Sequence, residues 1–227
     1  MPKRQFPQAK ICGLTDPSQA SACADLGADA IGLVFYPPSP RHVSLQQAAA
    51  ICAVLPDNVT STGVFVNPDW DTLAEAVAAC GLKAVQLHGQ ESPEFVTQVA
   101  AQLGVRVIKA LFGTRDPGLD RAKDFKADAF LAECGRGTLP GGNAMTWDWG
   151  RAGTLARAYP TLLAGGLDPD NVFQAVEACM PGGVDASSGL EAAPGRKDLK
   201  KVERFLSRVR QTARLYRAAG RAPKTVF

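Results

Sequence analysis

The chain has 227 residues, a formal net charge of +3 and a hydrophobic share of 46%, which is ordinary for a water-soluble globular protein. No apolar run follows the charged residues Lys3 and Arg4, so we expect no signal peptide. No stretch approaches the length of a membrane span, and we therefore expect a cytoplasmic protein.

The cysteines and histidines argue against a metal site. The six cysteines are widely spaced, none forms a C-x-x-C pair, and the only histidines, His42 and His88, are far apart. This pattern fits neither zinc ligation nor a secreted disulfide framework, so we expect reduced thiols and no bound metal.

The C-terminal part of the chain is basic. From Arg196 onward it carries eleven Lys or Arg residues against two acids. Such a segment can indicate a nucleic acid or membrane partner, but only two aromatic residues, Phe205 and Tyr216, lie among these charges. We predict a terminal helix with a solvated basic face and neither kind of partner.

Short apolar runs alternate with helical patterns along the whole chain. The predicted strands are 9–12, 30–35, 60–66, 83–87, 106–111, 127–133, 161–164 and 183–185. The predicted helices are 17–26, 44–55, 69–80, 92–103, 116–125, 148–158 and 168–179, with a last one from about 198. The segment 116–125 has the weakest helical pattern.

Eight such units in this length predict an α/β fold, a closed (β/α)8 TIM barrel, as a single domain over 1–227 with a basic C-terminal helix from about 198. A doubly wound open sheet is the alternative. That fold normally has a glycine-rich dinucleotide fingerprint in its first turn, and Cys12-Gly13-Leu14-Thr15 lacks one.

Two loops predict a phosphate site. Gly165 and Gly166 follow the seventh strand, and Ser187 and Ser188 follow the eighth. In barrels these two loops often bind phosphate, because glycines let backbone N–H groups approach an anion and small hydroxyls add donors. The alternative is that both are only tight turns.

Ordered motifs over nearly the whole chain resemble the phosphoribosylanthranilate isomerase family, the barrel enzymes of tryptophan synthesis. They are Lys10-Ile11-Cys12-Gly13, Ser39-Pro40-Arg41, Gly63-Val64-Phe65-Val66, Gln86-Leu87-His88-Gly89, Pro140-Gly141-Gly142, Leu163-Ala164-Gly165-Gly166-Leu167 and Val184-Asp185-Ala186-Ser187-Ser188-Gly189-Leu190-Glu191. The resemblance implies an Amadori rearrangement of N-(5-phosphoribosyl)anthranilate to 1-(2-carboxyphenylamino)-1-deoxyribulose 5-phosphate, without metal or organic cofactor.

The resemblance also implies which residues move protons. Cys12 matches the family's catalytic base, and a thiolate suits that role if nearby cations lower its pKa. The family's general acid is usually an aspartate at the end of strand six, where this chain has Glu133. A structural buried thiol and a carboxylate in an ion pair are the respective alternatives. Side-chain alternation places Lys10 on the same strand face as Cys12.

Further residues are candidates for substrate binding. Arg41 matches the family's contact to the anthranilate carboxylate, which a guanidinium holds through two hydrogen bonds. His88 and Asp185 end strands four and eight, and each is either a substrate contact or a structural residue. Gln86 is expected to fill the barrel, and Lys109 to be a structural ion-pair partner.

The long Gly- and Pro-rich loop over 134–146 is predicted to close as a lid over the substrate. A thiol of low pKa at Cys12 would also be the most oxidisable in the chain. Two alternatives remain for the whole protein: another barrel acting on a phosphorylated ribose or ribulose, and a phosphate-ligand binder that has lost catalysis. A monomer and a homodimer are both open.

Overall fold

The computed structural model describes residues 5–135 and 146–227. Eight parallel strands form a closed barrel in chain order, which confirms the predicted fold. They are β1 (Gln8–Cys12), β2 (Ala30–Phe35), β3 (Thr60–Phe65), β4 (Ala84–Leu87), β5 (Arg106–Phe112), β6 (Ala129–Glu133), β7 (Thr161–Leu163) and β8 (Gly183–Ala186). Pairing of β1 with β8, in which Lys10 lies opposite Asp185, closes the ring.

Helices surround the barrel, and several begin at a residue whose side chain caps the helix; the helix predicted over 168–179 begins only at Val172. They are α1 (Pro17–Asp25), α2 (Leu45–Ala53), α3 (Trp70–Cys80), α4 (Pro93–Gln102), α5 (Gly153–Ala158), α6 (Val172–Cys179), α7 (Leu199–Gln211) and α8 (Ala213–Ala218). The side chains of Asp16, Ser44, Asp69 and Ser92 each accept a hydrogen bond from the third residue of the following helix. These bonds satisfy backbone donors that a helix start leaves unpaired.

The prediction of an α-helix over 116–125 is wrong. The segment between β5 and β6 contains a 3₁₀ helix, Leu119–Asp124, after Asp116-Pro117-Gly118. Gly118 stands at the N-cap position and has no side chain to cap the helix start, and the six residues that follow form 3₁₀ turns. The predicted helix over 148–158 is likewise divided into a 3₁₀ turn, Trp149–Ala152, and α5.

The barrel interior is polar on one side and apolar on the other. Alternate residues of β5, β6 and β7 form an apolar cluster with Val226: Ile108, Ala110, Phe112, Ala129, Leu131, Leu162 and Ala164. The matching positions of β1, β4 and β8 hold Lys10, Gln86 and Asp185, all buried. Because polar atoms inside a barrel need partners, this side is where hydrogen bonds and ion pairs concentrate.

Two features of the C-terminal part differ from expectation. A small antiparallel hairpin of β9 (Glu191–Ala193) and β10 (Arg196–Lys197) follows β8, and its Lys197 is only 3% exposed rather than solvated. The predicted terminal helix is α7 and α8, which meet at Thr212. None of the helices in the described ranges combines the length and apolar character that a bilayer span requires.

Candidate active site

Cys12 ends β1 inside the barrel, next to a buried ion pair. Lys10 Nζ lies 3.0 Å from both carboxylate oxygens of Asp185, and the Lys10 side chain is fully buried. Lys10 also lies near enough to Cys12 to act on the pKa of its thiol, as expected for two side chains on one strand face. A Cβ placed on Gly32 would lie 2.6 Å from Cys12 Sγ and 3.0 Å from Lys10 Nζ. Glycine at this position of β2 therefore makes room for both groups.

The charges around Cys12 act in opposite directions. Burial raises the pKa of the Cys12 thiol, Lys10 and Lys197 oppose the rise, and Asp185 adds to it. The expected cations are present, but they do not lower the pKa below its ordinary value, because burial outweighs them and Asp185 adds to its effect. The protonated thiol is thus the resting form, and a low-pKa, readily oxidised Cys12 is not supported.

Glu133 ends β6 and contacts His88, which follows β4. The distance between His88 Nε2 and Glu133 Oε2 is 2.7 Å, and both residues are buried. The other ring nitrogen, Nδ1, lies 2.8 Å from the amide nitrogen of Gln86. Phe112 packs edge-on against the imidazole at 5.6 Å between ring centroids. The Glu133 carboxylate is therefore held by the imidazole of His88.

Arg41 is held by a carboxylate that the sequence reasoning did not single out for a role. Its Nε and Nη2 donate to the two oxygens of Glu191 at 2.8 Å and 2.7 Å. Lys197 Nζ donates to the same carboxylate at 2.8 Å and to the carbonyl of Ser187 at 3.2 Å. Burial opposes ionisation of Glu191, but Arg41 and Lys197 outweigh it and lower its pKa.

The two loops of the predicted phosphate site contact each other. Gly165 and Gly166 have φ values of +93° and +66°, a conformation that favours glycine. A Cβ on Gly189 would lie 2.2 Å from the carbonyl oxygen of Leu167, so the loops after β7 and β8 approach at the backbone. A 3₁₀ turn, Ser188–Leu190, starts there. The Ser187 hydroxyl, however, donates to the Cys12 carbonyl at 3.0 Å.

Lys109 forms a buried ion pair with Glu91, which confirms the predicted structural role. Its Nζ lies 2.8 Å from Glu91 Oε2 and 2.9 Å from the carbonyl of Gly89, and the pair is buried. Glu91 accepts in turn from the backbone N–H of Gly89 and of Asn67. This network fixes the loop that carries His88. Of the lid predicted over 134–146, residues 136–145 lie outside the described residues.

Sequence reasoning missed Glu191 because its partner is 150 positions away, and only its place beside the Ser187-Ser188-Gly189 run marked it. No group of three or more potential metal ligands occurs within 5–135 and 146–227. A thiol and a carboxylate buried at the same end of a closed parallel barrel are typical of enzymes that move protons on a small substrate.

Comparison with known proteins identifies the family. The family model described as N-(5'-phosphoribosyl)anthranilate (PRA) isomerase matches residues 9–208. The N-(5'-phosphoribosyl)anthranilate isomerase of Desulfatibacillum aliphaticivorans is 46% identical over 220 residues, which cover 97% of this chain and 98% of that protein. The chain therefore belongs to the phosphoribosylanthranilate isomerase family, isomerases of tryptophan biosynthesis that interconvert an aldose and a ketose.

The similar solved structures reported below are of proteins from the same family. The phosphoribosylanthranilate isomerase of Thermotoga maritima superposes with a TM-score of 0.82 at 34% identity, covering 91% of this chain and all of that one. A structure of such an isomerase with reduced 1-(o-carboxyphenylamino)-1-deoxyribulose 5-phosphate has a TM-score of 0.79 at 33% identity, with coverage of 91% and 100%. A third structure describes monomers generated from the dimeric Thermotoga maritima protein, so both states occur among similar proteins.

Proposed function

We propose that this chain converts N-(5'-phosphoribosyl)anthranilate to 1-(2-carboxyphenylamino)-1-deoxyribulose 5-phosphate with Cys12 as base and Glu133 as acid. The observation that supports this assignment is their placement: both end barrel strands, β1 and β6, both are buried, and both face the interior. Strands β7 and β8 separate them on the shorter way round the ring. A small substrate bound at this end of the barrel lies between Cys12 and Glu133.

Glu133 starts the reaction by protonating the oxygen of the ribose ring. The C1–O bond breaks, the ring oxygen becomes a hydroxyl, and the anthranilate nitrogen shares its lone pair to form an iminium. Cys12, which loses its thiol proton to solvent as the iminium forms, then removes the proton from C2, and the electron pair of that bond forms an enolamine. Tautomerisation to the ketone completes an isomerisation that needs no oxidant. Cys12 is left as the thiol, its resting form, and Glu133 regains a proton from solvent.

The raised pKa of Cys12 is compatible with this role. The iminium places a positive charge next to the carbon that loses its proton, and a nearby cation favours the thiolate. Lys10 and Lys197 act in the same direction. The thiol is therefore activated when the intermediate forms rather than in the empty site.

Arg41 is proposed to bind the anthranilate carboxylate through the donors that Glu191 leaves. A guanidinium has five N–H groups, and Glu191 occupies the side formed by Nε and Nη2. The end formed by Nη1 and Nη2 can donate two hydrogen bonds to a second carboxylate. We therefore still expect two hydrogen bonds from Arg41 to the anthranilate carboxylate, but from Nη1 and Nη2 rather than from the edge that Glu191 occupies.

The remaining binding roles are proposals of the same kind. The backbone around Gly165 and Gly166, with Ser187 and Ser188, is proposed to bind the phosphate; Ser187 contributes its backbone, since its hydroxyl is bound to the Cys12 carbonyl. His88 and Asp185 are proposed to contact the sugar from their places beside Glu133 and Lys10. The 1–227 chain is proposed to act as one cytoplasmic domain without a cofactor, as a monomer or a homodimer.

A substrate deuterated at C2 tests the proposal. Removal of that atom by the thiol lets deuterium exchange into water, so we expect turnover, slower than with the light substrate, and loss of label from the product. Retention of deuterium at C1 in a product that Cys12→Ala still forms at the wild-type rate would contradict a cysteine base. Binding of a product analogue without turnover would support the alternative of a binder that has lost catalysis.

A further inference from the structure

Gln86 is a buried side chain whose contacts exceed the expected role of filling the barrel. It lies on β4, two residues before His88, and is 1% exposed. Its amide nitrogen is 2.8 Å from His88 Nδ1. Its amide oxygen is buried without a hydrogen-bond partner in the described part of the chain. A buried amide oxygen without a partner costs free energy, so this orientation needs a compensating reason.

The reason lies in the protons of the imidazole. An amide nitrogen only donates, so Nδ1 must accept and carries no proton. A neutral imidazole then has its proton on Nε2, where it donates to Glu133 Oε2 at 2.7 Å. Turning the amide round would reverse both roles: Nδ1 would carry the proton, and Nε2 would accept one from Glu133.

We propose that Gln86 is a positioning residue that sets the tautomer of His88 and thereby the oxygen of Glu133 that carries the acid proton. With Oε2 accepting from His88, the acid proton of Glu133 is held on Oε1. The reversed tautomer would direct that proton to His88 instead of the substrate. This inference rests on the proposed role of Glu133 as acid. It adds that Gln86 determines which oxygen of Glu133 carries the acid proton.

The packing around the imidazole supports a fixed arrangement. Phe112 lies edge-on to the ring at an interplanar angle of 68°, and the guanidinium of Arg115 stacks on the ring of Phe112 at 3.7 Å. Lys109 and Glu91 hold the backbone next to His88 from the other side. Since the ring cannot easily turn, its tautomer is decided by the groups at its two nitrogens.

The experiment is nitrogen-15 NMR of the histidine side chains in the substrate-free enzyme. The chain has only two histidines, His42 and His88, so the spectra are simple, and His88→Asn assigns the signals. We expect His88 in wild type to be neutral with its proton on Nε2 at pH 7.5. A proton on Nδ1 would overturn the proposal, whether or not Glu133 proves to be the acid.

Two variants test the role of the amide. Gln86→Glu places an acceptor at Nδ1, so we expect a proton on Nδ1 and a kcat about ten- to a hundredfold lower, with KM within threefold. Gln86→Met removes the donor, and we expect the two tautomers to mix. His42 signals and the unfolding transition serve as controls for the fold. An unchanged His88 tautomer in both folded variants would overturn the proposal.

The outcome separates this inference from the proposed function. If Glu133→Gln retains full activity while His88 has the expected tautomer, the acid assignment fails and the tautomer assignment stands. If Glu133→Gln is inactive but His88 carries its proton on Nδ1, the acid stands and the role of Gln86 is refuted.

Discussion

Arg41 and Glu191 form two parallel hydrogen bonds, at 2.8 Å and 2.7 Å, although 150 positions separate them in sequence. The pair connects the loop after β2 to the hairpin after β8 and draws in Lys197 at 2.8 Å. A carboxylate that binds one edge of a guanidinium fixes its plane and leaves the other edge to a ligand. The binding geometry that we propose for the anthranilate carboxylate depends on this pair.

Replacing Arg41 with lysine keeps the charge but removes the paired N–H donors of the guanidinium. An ammonium cannot serve Glu191 and a substrate carboxylate with two parallel bonds each, so Arg41→Lys is expected to raise KM about ten- to a hundredfold, with a smaller change in kcat. Steady-state kinetics measures both. Arg204→Lys, at an exposed pair with Asp170, is the matched control and should leave both constants unchanged. An unaltered KM in Arg41→Lys would contradict the assignment.

The reactivity of Cys12 should rise with pH beyond the range of an ordinary thiol. Burial raises its pKa, so the thiolate fraction, and with it the rate of alkylation by iodoacetamide, should still be increasing above pH 9. Mass spectrometry of the peptide that contains Cys12 gives the rate without interference from the other cysteines. The double variant Lys10→Met, Asp185→Asn should move the profile higher, because Lys10 lowers the pKa of the thiol more than Asp185 raises it. A rate that levels off below pH 8 would refute the raised pKa.

Buried thiols should also destabilise the fold at alkaline pH. Burial raises the pKa of Cys23 from 9.0 to about 11, so between these values the unfolded chain loses a proton that the folded chain keeps. The free energy of unfolding therefore falls as pH rises above 9, by about 2 kcal/mol at pH 10.5 for this group.

Urea unfolding of wild type and Cys23→Ala at pH 8 and pH 10.5 tests the contribution of the Cys23 thiol to the free energy of unfolding. The variant is expected to lose about 2 kcal/mol less than wild type between the two pH values. Ser21→Ala, on the same helix, is the control and should follow wild type. Equal losses in Cys23→Ala and wild type would show that the thiol does not contribute.

Val226 fills the end of the barrel opposite the proposed site. It is fully buried within the interior cluster, and its backbone N–H donates to Gln8 Oε1 at 2.6 Å, while Arg106 Nη1 donates to its carbonyl at 3.0 Å. Val226→Ala should lower the free energy of unfolding by about 2 kcal/mol, through lost burial and the space left behind. Thr225→Ala, at an exposed neighbour, should change it little. Equal stability of the two variants would exclude the packing role.

Much of the fold could be predicted because local signals agree with the barrel. The capping residues Asp16, Ser44 and Asp69 and the alternation that brings Lys10 to Cys12 all act over a few residues. The 3₁₀ helix between β5 and β6 was not predicted, because the helical pattern there is weak and Gly118 has no side chain to cap an α-helix.

The site was less accessible to sequence reasoning. The partner of Arg41 is set by how two distant loops meet, and the contact of Glu133 with His88 spans 45 positions. The direction of the Cys12 pKa depends on burial and on the opposing charges of Lys10 and Asp185, which no local pattern reports. Gln86 was expected only to fill space because its strand position says nothing of its amide orientation.

The most direct test follows anthranilate fluorescence during turnover of freshly made N-(5'-phosphoribosyl)anthranilate by wild type, Cys12→Ala and Glu133→Gln. We expect activity in wild type and a loss of at least about a hundredfold in each variant, because each lacks one of the two groups that move protons. Loss in Cys12→Ala alone would move the acid to another residue, with Asp185 next to be tested. Full activity in Cys12→Ala, or none in wild type, would contradict the mechanism.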